Sequence, residues 1–173
     1  ITGFDALPLR SLTAYNSGLT QITGQASLET LNASSCSDLT RIDAKQCSKL
    51  KTLEAKNCGK LATVEARSAN LTTLDLTYSK VAVLDISNCT KISEIKGIAE
   101  LSLETLRANN CSNLTKIESS KLETLEAKNC EKLATVAVKS AQLTTLDLTS
   151  SKVSSLDISS CAKLTSITGF DTL

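Results

Sequence analysis

An eleven-residue pattern, L-x-x-L-x-A-x-x-C-x-x, recurs sixteen times between Leu9 and Leu173, and some copies are shortened to ten, nine or eight residues. The units begin at Leu9, Leu19, Leu28, Leu39, Leu50, Leu61, Leu71, Val81, Ile92, Leu103, Leu114, Leu122, Leu133, Leu143, Val153 and Leu164. A unit this short cannot bury an apolar face by itself, so successive units must stack on one another and share a continuous core. The repeat therefore predicts a solenoid.

Within each unit, apolar and polar residues alternate as in a short β-strand. The fourth position is always Leu, Ile or Val, and the sixth is small or aliphatic, as in Leu31 and Ala33. This period of two indicates a strand with one buried face, and the apolar positions do not form a single helical stripe. The alternation places Leu74 inward and Asp75 outward. Leu74→Asp is therefore expected to abolish cooperative unfolding, and Asp75→Ala to be nearly silent.

The spacing of the units indicates how many of them form one coil. Alternating spacings of ten and eleven residues favour two units, which gives an all-β, parallel β-solenoid with about 21 residues and two short strands per coil, eight coils in all, and little or no α-helix. A three-sided coil is the alternative. Residues 50–97 recur 72 residues later, a distance of seven units. Because seven is odd, a two-sided coil places the two copies on opposite, chemically interchangeable sides.

The composition excludes several classes of function. Of 173 residues 41% are hydrophobic and 2% aromatic, and His, Trp and Met are absent. Without His the chain lacks the usual general base and the commonest metal ligand, so we expect a non-enzymatic protein with no catalytic residue, metal or cofactor. A net charge of +1 argues against a nucleic-acid partner. No apolar stretch approaches the roughly 20 residues of a membrane span, so no membrane insertion is expected.

Two paired units carry a family likeness. LTTLDLTYSKVAVLDISNCTK (residues 71–91) and LTTLDLTSSKVSSLDISSCAK (residues 143–163) resemble leucine-rich repeat proteins. The closest variety is the all-β, short-repeat type of bacterial internalin-like surface proteins, some of which carry a cysteine ladder. The chain departs from most such repeats in having Cys after the strand, where Asn is usual. The resemblance implies one leucine-rich repeat solenoid over residues 1–173. Because ITGFDAL at the start is echoed by ITGFDTL at the end, we interpret the chain as a fragment of a longer array.

All the cysteines occupy the ninth position of their units. They are Cys36, Cys47, Cys58, Cys89, Cys111, Cys130 and Cys161. Their number is odd, the spacing CxxC is absent, and stacked parallel neighbours have nearly parallel Cβ vectors, which is a poor geometry for a disulfide. We therefore predict a structural ladder of free, buried thiols that behave as small hydrophobic groups. Disulfide bonds are the alternative.

Irregular units are better candidates for a specific site than regular ones. The unit at residues 92–102 replaces the usual Ala and Cys with Gly97 and Glu100, and the unit at residues 114–121 is shortened. The predicted contact surface is the band around Tyr78, Glu94, Lys96 and Ile98. Ile98 and Phe170 occupy outward seventh positions. The alternative interpretation is that these irregularities are remnants of the duplication.

By resemblance, the chain is a recognition or adhesion module that binds a protein or glycan partner over an extended face. The same resemblance implies a bacterial protein, placed at the cell surface or secreted; an intracellular effector is a further alternative. The rival hypothesis is structural: a spacer or stalk, or a unit that self-associates end to end through the edges of its coils. Scarce aromatic residues and interchangeable sides favour this rival.

Overall fold

The computed structural model describes residues 8–169, which form a parallel β-solenoid of about seven coils that repeat every ~20 residues. The strands are three or four residues long, and each begins at the third position of a unit. In the described residues they are β1 (Ser11–Thr13), β2 (Gln21–Thr23), β3 (Thr30–Asn32), β4 (Arg41–Ala44), β5 (Thr52–Glu54), β6 (Thr63–Ala66), β7 (Thr73–Asp75), β8 (Val83–Asp85), β9 (Thr105–Arg107), β10 (Lys116–Ser119), β11 (Thr124–Glu126), β12 (Thr135–Val138), β13 (Thr145–Asp147) and β14 (Ser155–Asp157). The predicted all-β solenoid is confirmed.

The two sides of the solenoid are built differently. One side is a seven-stranded sheet in the order β2, β4, β6, β8, β9, β11 and β13, which we call the continuous face. The other side carries β1, β3, β5 and β7 in one sheet and β10, β12 and β14 in another, and we call it the interrupted face. Every strand pairs in parallel with the strand two units away, so the two-sided coil is confirmed and the three-sided alternative is wrong.

The interrupted face changes at residues 92–102. This unit forms a single bridge from Lys96 to Asp75 and then one turn of 3-10 helix over Ile98–Glu100. The stack continues across it, because the Thr115 backbone N–H donates to the Ser93 carbonyl at 3.2 Å. A second unit, near the end of the described residues, also forms a single bridge. The paired strands therefore form about seven coils, whereas the number of repeat units predicts eight.

Equivalent positions of successive units lie directly above one another. Leu31 pairs in register with Leu53, and Leu53 with Leu74. In the inner coils the first, fourth and sixth positions and the ninth-position cysteines have almost no exposed surface, so Leu, Ile, Val, Ala and Cys form one dry core along the axis. Each fully buried Leu or Ile contributes about 1.5–3 kcal/mol relative to an exposed one.

The long duplication lies on opposite faces, as its odd number of units predicts. β5 is in the interrupted face, and its copy 72 residues later, β11, is in the continuous face. The same backbone segment therefore pairs equally well on either side. The two sides are interchangeable wherever the repeat is regular.

The turn after many strands uses a left-handed backbone at the eighth position of the unit. Asn tolerates this conformation better than most residues, because its short polar side chain can bond locally. The non-glycine residues with positive φ are Asn16, Ser35, Asn57, Tyr78, Asn88, Asn110, Asn129, Ser150 and Ser160. Tyr78, at φ 59°, is the bulky exception in this set.

The inward position of Leu74 leads to a stability test. Leu74 is 1% exposed, so Leu74→Asp buries an unpaired charge and should abolish cooperative urea unfolding. Asp75 lies outward but is not idle, because its Oδ1 accepts hydrogen bonds from the backbone N–H of Thr77 at 3.1 Å and from Thr77 Oγ1 at 2.6 Å. We therefore expect Asp75→Ala to lower the free energy of unfolding by about 1 kcal/mol rather than to be silent. Equal effects of the two substitutions would contradict the inward and outward assignment.

Candidate functional site

The charges of the continuous face are paired within the protein. Arg41 contacts the carboxylates of Asp43 and Glu65, and Lys45 lies 3.3 and 3.4 Å from the same two groups. Further pairs on this face are Arg67–Asp85 at 2.8 Å, Arg107–Glu126 at 3.5 Å and Lys128–Asp147 at 2.9 Å. Alternating acidic and basic positions on stacked strands bring unlike charges side by side. This face consequently presents charges that are largely neutralised by their neighbours.

Asp85 is the most buried carboxylate of this network. Its residue is 5% exposed. Burial raises the pKa of the Asp85 carboxyl, but hydrogen bonds from the Arg67 guanidinium and from Ser87 outweigh burial, and the net pKa lies below its ordinary value. The carboxylate therefore stays charged because Arg67 covers it.

The interrupted face contains a groove where the unit at residues 92–102 meets β10. Gly97 lies in the left-handed region at φ 83°, and a Cβ there would lie 2.7 Å from the Thr77 Cα, so only glycine allows the chain to pass so close to the previous coil. The 3-10 turn that follows leaves the groove between the two units. Its volume is about 230 Å³, and its lining residues are Glu94, Ile95, Ile98, Thr115, Lys116 and Glu118.

A second depression lies next to this groove, between the 3-10 turn, β10 and the end of β12. Its volume is about 270 Å³, and its lining residues are Ala99, Glu118, Ser119, Ser120, Ala137 and Lys139. The charges around it are paired: Lys116 lies 2.7 Å from Glu118, and Lys139 lies 3.0 Å from Asp157. Glu118 separates the two depressions, which together form the candidate site.

The structure brings together part of the predicted contact band. Glu94 and Ile98 line the groove. Lys96 pairs with Asp75 in the bridge that leads into the groove. Tyr78 is 72% exposed on the preceding turn of the same face and does not line either depression. Phe170 lies outside the described residues.

Sequence reasoning missed the second depression. Ser119 occupies the sixth position of its unit, where every other unit has Gly, Ala, Val, Leu or Ile. This replacement and the eight-residue length of the same unit were the available signals. The other lining residues include Ala99, Ala137 and Lys139, which come from other coils. Nothing in the sequence around them indicates a binding site.

The cysteines are free in the structure, and six of the seven are buried. Six of the seven thiols, all except that of Cys47, also donate a hydrogen bond to a backbone carbonyl, which their description as small hydrophobic groups does not anticipate. The thiol at the ninth position donates to the carbonyl at the sixth position of the previous coil on the same side, as from Cys58 to Ala33 at 3.2 Å and from Cys111 to Ile86 at 3.1 Å. The ladder therefore satisfies carbonyl groups inside the turns.

Serine takes the place of cysteine in this ladder in two of the units that lack the thiol. The Ser79 hydroxyl donates to the Ala55 carbonyl and accepts from the Cys58 backbone N–H at 3.0 Å. Ser151 makes the same two contacts with Ala127 and with Cys130. At these two positions the serine hydroxyl thus both donates and accepts a hydrogen bond.

Burial suppresses ionisation of the thiols. Burial, with a contribution from nearby Asp43, raises the pKa of Cys47 to about 11, and burial raises the pKa of Cys89 to about 12. The pKa of Cys111 is raised as well, first by burial and then by the neighbouring Cys89 and Cys130 thiols. Since the thiolate is the reactive form, these groups are unreactive in the folded protein.

The described residues contain no group of three or more His, Cys, Asp and Glu side chains placed to hold a metal ion. Within the same part of the chain no helix has the length and apolar character needed to cross a membrane. Comparison of the chain with family models, with curated proteins and with solved structures gives no match in any of the three.

The thiol ladder predicts an order of chemical reactivity. With iodoacetamide at pH 8, Cys161 should be alkylated first in the native protein, because it is the one half-buried cysteine of the seven. Cys89 and Cys111 should remain unmodified until the protein unfolds, and all seven should react in denaturant. Peptide mass spectrometry at successive times measures this order. Rapid alkylation of Cys89 or Cys111 in the native protein would contradict the ladder.

The Arg67–Asp85 pair predicts a pH-dependent contribution to stability. Arg67→Gln leaves Asp85 buried without its charged partner and should lower the free energy of unfolding by about 1–3 kcal/mol at pH 7. Because the folded-state pKa of Asp85 lies below its ordinary value, the contribution is present above the unfolded-state pKa of about 4 and is lost as the pH falls through the folded-state pKa.

Urea unfolding at pH 7 and at pH 3 measures the difference between wild type and Arg67→Gln, which should shrink at the lower pH. Lys60→Gln is the matched control, because Lys60 and Asp38 form an ion pair in which both side chains are at least half exposed. That variant should unfold like wild type at both pH values. A pH-independent loss in Arg67→Gln would show that the guanidinium acts through packing instead of charge.

Proposed function

We propose that the chain is a non-enzymatic recognition module that binds a protein or glycan partner across its interrupted face. The observation that carries the proposal is the pair of adjacent depressions at residues 94–99, 115–120 and 137–139, each with apolar and charged walls. A regular β-solenoid face is flat, so a concave site arises where the repeat is broken. Concave sites with a few convergent polar groups are the usual form of a ligand site.

Two exposed aromatic residues also favour the interrupted face as the binding surface. Tyr15 and Tyr78 are 63% and 72% exposed, and both lie on turns that follow strands of the interrupted face, β1 and β7. Tyrosine is enriched among the residues that dominate binding energy at interfaces. Tyr78 also holds the left-handed backbone that Asn holds in several other units, and local strain of this kind is common at functional positions.

The proposal includes the kind of protein in which the module acts. Its repeat resembles the leucine-rich repeats of bacterial internalin-like surface proteins, and we propose an adhesion or recognition role at the cell surface or in a secreted protein. The alternating apolar positions and the column of cysteines at the ninth position support this likeness. Neither of these two sequence features involves the residues that line the candidate site.

A structural role is the second candidate. Duplicated segments lie on opposite faces in equivalent conformations, so a regular part of the solenoid presents nearly the same surface in two directions. That property suits a spacer, a stalk or a unit that associates end to end through strand edges. Sedimentation velocity over a hundredfold range of concentration tests it: growth of the sedimentation coefficient supports assembly, and a constant monomer value argues against it.

The recognition proposal predicts which substitutions abolish partner binding. Labelled wild-type protein would be screened on a glycan array and against a protein extract, and each bound partner tested with two variants of the interrupted face, Ile98→Glu and Tyr78→Ser. Ser is the residue at the duplicated position 150, so Tyr78→Ser should fold normally. Binding should fall at least about tenfold in the two variants.

Thr145→Glu is the matched control, because Thr145 is exposed on β13 of the continuous face. It should bind as wild type does. Equal binding by all the variants, or the absence of any saturable partner, would overturn recognition through the interrupted face.

A further inference from the structure

The second depression exists because a turn is missing. The unit at residues 114–121 has eight residues and lacks the ninth position, where most other units have Cys or Ser. β10 consequently runs directly into the next unit, and the Lys139 backbone N–H donates to the Ser119 carbonyl at 3.1 Å. In regular coils the ninth-position thiol or hydroxyl of the next coil on the same side binds the equivalent carbonyl, as in the contact from Cys58 to Ala33. For Ser119 that ninth position is Ala141, which has no such group. The shortened unit itself lacks the turn residues that most other units have after the sixth position.

Ser119, one of the residues that line this depression, carries a buried hydroxyl without a hydrogen-bond partner. Ser119 is 8% exposed, and in the described residues its Oγ makes no hydrogen bond. The other buried serines are all bonded, as are Ser68 to the Leu50 carbonyl at 2.7 Å and Ser79 to the Ala55 carbonyl. Burying an unsatisfied hydroxyl is unfavourable, and Ala or Val occupies the sixth position in neighbouring units. The fold does not require a serine here.

The walls of the depression determine what could bind Ser119. Ala99 and Ala137 provide methyl groups, Ser120 provides a second hydroxyl, and Glu118 and Lys139 provide one acceptor and one donor of opposite charge. Both charges are already paired, with Lys116 and Asp157. The surroundings are therefore close to neutral: Glu118 disfavours an anion, and Lys139 disfavours a cation. A neutral ligand with several hydroxyl groups fits this set, since adjacent hydroxyls can donate to a carboxylate and accept from an ammonium group.

We infer that this depression binds one neutral sugar ring of a glycan, with Ser119 as a buried hydrogen-bonding partner and the methyl groups of Ala99 and Ala137 against the C–H surface of the ring. The inference rests on the proposed recognition function and narrows its ligand to a glycan. The volume of about 270 Å³ is sufficient for a single ring, and further rings of a glycan would extend over Glu118 into the adjoining groove.

Nuclear magnetic resonance of the ¹⁵N-labelled chain tests the inference with defined probes. Methyl glycosides of glucose, galactose, mannose and N-acetylglucosamine are titrated separately, and the backbone amide shifts are followed. At least one glycoside should shift the amides of Ala99, Ser119, Ser120 and Lys139 with saturation, and Ser119→Ala should weaken its binding about fivefold through the lost hydrogen bond. Ala137→Leu, which fills the depression from its outward wall, should abolish the shifts.

Two controls separate binding from folding. Ser119→Ala should unfold at the same or a higher temperature than wild type, because it removes an unsatisfied buried hydroxyl. Ser151→Ala removes a hydroxyl that is bonded to the Ala127 carbonyl, so it should lower the unfolding temperature and leave glycoside binding unchanged. Equal glycoside affinity in wild type and Ser119→Ala would overturn the role of Ser119.

Sodium acetate serves as the competing probe. Shifts of the same amides by acetate and not by any glycoside would overturn the inference in favour of an anion site. A complete lack of response to every glycoside would also overturn it. If Ile98→Glu and Tyr78→Ser still abolished binding of a protein partner in that case, the recognition function would stand and only the glycan ligand would fail.

Discussion

Parallel backbone pairing between successive coils is the interaction on which the rest of this structure depends. A unit of about ten residues forms a strand of three or four residues, which is too short to be stable alone. Each strand gains its hydrogen bonds and its apolar contacts from the units two places before and after it. The pairing keeps equivalent positions in register, as for Leu31, Leu53 and Leu74. Residues at the same position of successive units on one side therefore form a column along the solenoid.

The same registration decides where polar groups can be tolerated. Inward columns are apolar, but the turns also bring backbone carbonyls and N–H groups into the dry interior, and these need partners. Most thiols of the ladder supply such partners, and the Ser79 and Ser151 hydroxyls do so in two of the units without a thiol. Outward columns place unlike charges next to one another, which explains why Asp85 remains ionised beneath Arg67. The regular parts of the molecule are thus satisfied internally.

Departures from the repeat leave groups that the regular pattern does not satisfy. Gly97 and the 3-10 turn interrupt one sheet, and the shortened unit that follows removes a turn beside Ser119. Both irregularities fall on the same face and in consecutive coils of that face, which produces two adjoining depressions instead of two isolated defects. The proposed recognition function and the inferred sugar site arise from this coincidence, because a concave surface and an unpartnered buried hydroxyl meet at one place.

The sequence by itself predicted the strands, favoured the two-sided coil over a three-sided one and, given that coil, placed the duplicated segments on opposite faces. It also predicted the burial that six of the seven cysteines show. These features follow from the alternation of apolar and polar residues within each unit and from the number of units. Both are preserved when similar units stack along one axis. The irregular unit at residues 92–102 also pointed to Glu94 and Ile98, which belong to it. The tertiary structure alone decided that Ala99, Ser119 and Lys139, which come from three different coils, line one depression. That juxtaposition depends on how the shortened unit packs against the 3-10 turn of the preceding coil and the strand of the following one. Such packing is set by contacts between units, which cannot be read from the sequence of any one unit.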